Sequence, residues 1–231
     1  MRKIIIILLV QFIGNNSFSQ DTYWKEINID KYLTLSLPDN FNSIDSFIIR
    51  DGKKYDLKLF KANLKSSTIG ITIMDCGKSM NPYENIYYEN GFIELKKGFN
   101  ENAESKGLKV DFFDTKVDNV AGFKAILYSD NSKKNILYIN YVFWVDNYNY
   151  SFIAVPLNND DTENEVNINK LINSIHFNKK EILDSISLNL TPHVQDDKAK
   201  SIGKLIFNAL LILGVSFFIY SKLKKKKISS E

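Results

Sequence analysis

Residues 136–155, ILYINYVFWVDNYNYSFIAV, carry the strongest strand signal in the chain. β-Branched and aromatic residues fit a pleated, half-buried surface, and Asp146-Asn147 interrupts them with two residues that tolerate tight-turn backbone. The run therefore predicts a long antiparallel hairpin, strands 136–145 and 148–155, at the centre of a sheet. A two-residue turn sets Val145 against Tyr148 and Phe143 against Tyr150, so Tyr141, Phe143, Tyr148, Tyr150 and Phe152 share one face, the core candidate. Tyr138 and Trp144 fall on the other face beside Asn140, Asn149 and Ser151. They are a candidate interaction surface if no helix covers them, because interfaces favour Tyr and Trp.

The pattern stays β upstream. Residues 32–37 (YLTLSL) alternate until Pro38-Asp39-Asn40, and 55–62 and 68–74 repeat the alternation across polar residues 63–67, a second hairpin. Residues 109–113, 115–120 and 123–128 are further strand signals, the last two separated by Ala121-Gly122. Between these groups the period changes. Tyr88, Phe92, Leu95, Phe99 and Ala103 follow helical spacing, with Pro82 placed for a first turn and Gly107 for a stop. Gly91 and Gly98 each weaken that helix by about 1 kcal/mol relative to Ala. Downstream, Thr162 to Glu165 has capping-box spacing, and Ile168, Leu171, Ile172 and Ile175 form the stripe of a second amphipathic helix. The fold class expected is α+β, an antiparallel sheet flanked by two main helices.

The two ends set the address. Arg2 and Lys3, the apolar residues 4–13, and Ser17 and Ser19 before Gln20 have the form of a secretory signal peptide, residues 1–19. An uncleaved N-terminal anchor is the alternative. Near the C-terminus, residues 205–220 (LIFNALLILGVSFFIY) are apolar apart from Asn208 and Ser216, and cover roughly 24 Å as a helix. A transmembrane helix is expected over 202–221. Lys222, Lys224, Lys225, Lys226 and Lys227 follow it in the tail 222–231, which orients that tail to the cytoplasm and favours anionic lipid. Residues 20–178 are then one extracytoplasmic domain, in the periplasm or at the cell surface, and 179–201 a polar juxtamembrane linker. Ile182, Ile186 and Leu190 could extend the domain by a packed helical turn or two.

The chain of 231 residues has a formal charge of +3, but the excess belongs to its ends. Of 30 Lys and Arg, 22 lie in residues 21–203 with 26 of the 27 Asp and Glu, so the domain stands at −4. That excludes nucleic acid, which requires a positive field. The single cysteine, Cys76, forms no intramolecular disulfide, so the apolar core must hold the domain together.

The order of elements resembles the PsbP/Mog-like α/β/α sandwich: a strand ending in LPDNF (37–41), a hairpin, a long helix, a meander of strands, and a closing helix in the phrase LINSIHF (171–177). The resemblance covers residues 23–177 and is one of pattern. It implies a non-catalytic role in binding or assembly at membranes and brings no site residue with it; the C-terminal membrane helix departs from it.

No catalytic constellation stands out. Gly77-Lys78-Ser79 has the end of a phosphate loop, but Thr72 stands where that motif needs its first glycine. His176 and His193 lie outside any metal-spaced cluster, Asp111, Asp114 and Asp118 lack the spacing of a calcium loop, and GxSxG is absent. No cofactor and no metal are expected. The expectation is a membrane-tethered binding or assembly module with a membrane or envelope protein as partner; the alternative is a cell-envelope hydrolase.

Overall fold

The computed structural model describes residues 23–50, 53–80, 85–129, 135–157, 161–188 and 204. Along the chain come β1 (Trp24–Asn28), β2 (Leu33–Pro38), β3 (Asn42–Arg50), β4 (Lys53–Asn63), β5 (Ser67–Met80), α1 (Asn85–Glu104), β6 (Lys109–Val117), β7 (Val120–Tyr128), β8 (Ile136–Pro156), α2 (Asp161–Asn173), β9 (His176–Phe177) and α3 (Lys179–Leu188). The fold is α+β. A six-stranded antiparallel sheet runs β3-β4-β5-β8-β7-β6, and a three-stranded one runs β1-β2-β9.

Alternation divides the large sheet into two apolar faces. On one, Phe60, Ile69, Ile71, Ile73, Tyr141, Phe143, Tyr150 and Phe152 pack with β2, with Ile168, Leu171, Ile172 and Ile175 on and just after α2, and with Ile182 and Ile186 of α3. On the other, Leu57, Leu59, Met74, Phe123, Leu127, Val142 and Ile153 pack with Phe92, Leu95, Phe99 and Ala103 of α1. These four are the described part of the helical stripe, and they are buried as its spacing requires.

Three expectations need correction. The expected central hairpin is one continuous strand, β8. Its first half pairs with β7 (Gly122 with Phe143 through Tyr128 with Ile136) and its second with β5 (Ser67 with Pro156 through Asp75 with Tyr148). Because these partners lie on opposite sides, folding back at Asp146 would forfeit both ladders. Asp146 instead takes a left-handed φ of 51°, a one-residue irregularity in a strand that runs on. Secondly, the strand break expected at Ala121-Gly122 falls at Asp118-Asn119, whose φ values of 48° and 66° suit a two-residue hairpin, so 109–117 is one strand. Gly122 is a strand residue for a different reason: a Cβ there would lie 2.4 Å from the Val142 carbonyl oxygen. Thirdly, Tyr138 and Trp144 are not displayed. With 2% and 0% exposure they lie in the cluster that α1 closes, so the condition for their forming an interaction surface fails.

Of the expected linker, residues 179–188 form α3 and belong to the domain's packing. The signal peptide, the span 202–221 apart from Lys204, and the basic cluster Lys222, Lys224, Lys225, Lys226 and Lys227 lie outside the described residues. Among the described residues no helix is long and apolar enough to cross a membrane.

Candidate functional site

A cleft of about 550 Å³ opens on the face of the large sheet that carries β1-β2-β9. Its floor comes from successive strands: Asp45 and Phe47 of β3, Lys54, Asp56 and Lys58 of β4, Ile73 and Asp75 of β5, and Tyr148 of β8. Its wall is the β1–β2 turn, Ile29 to Tyr32. Asp30 shapes that turn, since its Oδ1 accepts from the backbone N–H of Tyr32 (2.8 Å) and of Leu33 (3.0 Å), an Asx-type turn. Its other oxygen accepts from the Tyr150 hydroxyl at 2.7 Å, which ties the turn to β8.

Next to the cleft, Tyr32 Oη, Ser185 Oγ and Asp146 Oδ2 form a triangle with sides of 2.6 to 2.7 Å. Two hydroxyl protons serve three sides, so at most two are hydrogen bonds at one time. Both hydroxyls can donate to the carboxylate, or one hydroxyl donates to the other, which in turn donates to Asp146. This triangle joins the β1–β2 turn, the irregularity in β8 and α3 around a carboxylate of 2% exposure. Burial raises the Tyr32 pKa against the opposing hydrogen bonds of Lys31 and Ser185. Hydrogen bonding to Tyr32 in turn raises Lys31, whose ammonium lies 4.5 Å from the Tyr32 ring centre. Burial, then the charge of Asp30, pushes Tyr150 well above its ordinary value.

These groups tie the β1–β2 turn, β8 and α3 together. Asp118 and His176 approach to 3.4 Å, and His176 pairs across strands with Thr34. The Thr34 hydroxyl, however, donates to Asn28 Oδ1 at 2.7 Å. Gly77-Lys78-Ser79 belong to strand β5, not to a loop opening a helix. Among the described residues no group of three or more His, Cys, Asp and Glu side chains could hold a metal ion. Asp111, Asp114 and Asp118 are spread along β6 and its turn, with Asp114 bonded to Lys96 and Asp118 to the backbone N–H of Phe177.

Sequence reasoning missed the cleft because it assigned no strand to β3. The apolar residues Ile44, Phe47, Ile48 and Ile49 do not alternate, and only pairing with β4 from Asn42–Lys61 to Arg50–Lys53 defines them as strand. The signal that could have found it is Asp51-Gly52 between two β-rich runs, a strong hairpin dipeptide.

No family model and no curated protein matches the chain. Among solved structures, the chain is similar to the cyanobacterial PsbP (CyanoP) of Synechocystis sp. PCC 6803, determined in solution. The two are 9% identical, with a TM-score of 0.43 over 72% of this chain and 99% of that one. A likeness at that score and identity decides neither fold nor function.

Proposed function

We propose that this chain is a membrane-tethered, extracytoplasmic binding or assembly module of PsbP/Mog-like architecture, recognising a membrane or envelope protein without chemistry of its own. The observation that carries this reading is the cleft: a concavity of ligand-site size whose wall is anchored by hydrogen bonds linking Asp30 and Tyr32 to Tyr150, Asp146 and Ser185 beside it. Tethering would act through effective concentration, with the apolar run 205–220 and its lysines holding the domain against a membrane-bound partner. Lys204 supports this arrangement. It heads the apolar run, and its ammonium lies 2.7 Å from Glu101 near the end of α1, which would bring that end of the domain toward the bilayer.

The test is a cross-linked pull-down of the full-length protein from native membranes, beside a form whose residues 205–220 are replaced by an unrelated span. The expected result is one membrane or envelope protein recovered with both forms. Recovery of none with either would overturn the reading.

A further inference from the structure

The six-stranded sheet ends in two edges. β6 exposes charge at Lys109, Asp114 and Lys116, a device by which natural edges resist pairing, beside Phe113 at 50% exposure. β3 has β4 on one side only, and no described residue hydrogen-bonds to its outer side. In an antiparallel ladder alternate residues turn their N–H and C=O groups away from the partner strand, so every second residue of β3 presents unpaired backbone there. The same strand holds Phe47 at 46% and Ile49 at 54% exposure, two residues apart and thus on one face, and Phe47 and Asp45 also line the cleft.

Resting on the binding-module reading, we propose that β3 is the recognition edge and that its partner is an extended polypeptide segment added as a seventh strand. A row of N–H and C=O groups at strand spacing is matched in one ladder by another extended backbone. Side chains narrow the class further. On the cleft face β3 shows Asp45, Phe47 and Ile49, so the segment carries a basic residue opposite Asp45 and apolar residues at the next two same-face positions. A second copy of this chain fits poorly. In antiparallel self-pairing about a two-fold axis only residues of like parity meet, and Ser43, Asp45, Phe47 and Ile49 include no base to face Asp45.

The test uses full-length protein in detergent micelles and an array of nonapeptides, threonine at alternate positions and every combination of basic, acidic, aliphatic and aromatic residues between. Binding is expected to select the order basic, apolar, apolar. It should fall about tenfold or more when alternate peptide nitrogens are methylated, since several edge hydrogen bonds are lost while the side chains stay. Phe47→Lys with Ile49→Lys should abolish it at an unchanged unfolding midpoint, and Asp45→Lys should shift selection to acidic peptides. Absence of selection, indifference to methylation, or full binding by the double-lysine variant would each overturn the proposal. The membrane pull-down repeated with that variant separates the two readings. An unchanged partner leaves the module and removes β3 as its edge, loss of a partner that wild type recovers supports both, and no partner with wild type removes both.

Discussion

Beneath the three-stranded sheet the buried polar groups bond one another: Tyr32, Ser185 and Asp146 in their triangle, Tyr150 on Asp30, and Asn167 of α2 on Ser66 and Ser67. Beneath α1 one such bond, from Ser151 Oγ to Asn149 Oδ1 at 3.1 Å, stands beside Thr72 Oγ1, Tyr138 Oη, both amide atoms of Asn140 and Nδ2 of Asn149, which are buried with no protein hydrogen-bond partner. The difference teaches which face specifies and which merely fills. Directional bonds on the first face place three elements in one register, whereas α1 is held by Phe92, Leu95, Phe99 and Ala103 through apolar contact, which tolerates small displacements far better than hydrogen bonds do.

The largest effect should come from the filling face. Trp144→Ala removes a fully buried indole and is expected to cost about 3–5 kcal/mol in denaturant unfolding; a loss below about 1 kcal/mol would mean that α1 does not pack as described. Next comes the specifying face. Asp146→Ala leaves two buried hydroxyls competing without their acceptor and puts a Cβ-bearing residue without a polar side chain at φ 51°, for about 2–4 kcal/mol. Asp146→Asn keeps left-handed tolerance and an acceptor, so it should recover more than half of that loss in the same measurement.

Alkaline pH sharpens the contrast at smaller scale. Burial raises Tyr138 and Tyr150 well above their ordinary pKa of 10, and raises Tyr32 as well. The folded state keeps these protons where the unfolded state releases them, so this stability is whole below about pH 10 and declines above it, by about 1.4 kcal/mol per pH unit for each of Tyr138 and Tyr150. Stability followed from pH 8 to 11 should show a shallower decline for both Tyr138→Phe and Tyr150→Phe. At pH 8, however, only Tyr150→Phe should lose stability, about 1 kcal/mol for its bond to Asp30. Smallest is Asn140→Leu, an apolar replacement of similar volume for a buried amide that bonds no protein group. It should be neutral or stabilising by about 1 kcal/mol, and a clear loss would erase the distinction between the faces.

Much of the layering was legible from periodicity. The stripe of α2, the described part of the α1 stripe, and the hairpin of β4 and β5 follow alternation and helical spacing directly. The face shared by Tyr141, Phe143, Tyr150 and Phe152, with Tyr148 beside them, was also legible, although the hairpin assumed for it does not exist. A two-residue turn and a one-residue irregularity shift parity alike, so the facial pattern around Asp146 does not distinguish a strand that turns back from one that continues. That choice belongs to β5 and β7, some 60 and 10 residues upstream in sequence, and is invisible to local reading. The cleft was illegible for a related reason: its floor crosses four strands, and β3 is a strand only by virtue of its partner.

The continuity of β8 also bears on the order in which the molecule can be built. Until residues 136–156 have been made, the meander β3-β4-β5 and the hairpin β6-β7 are separate pieces, each with a bare edge where β8 will lie. A chain emerging from a ribosome or a translocation channel therefore holds two half-sheets and no whole one. Their union waits on a single late strand, which must capture both within one insertion before α2 and α3 can seal it.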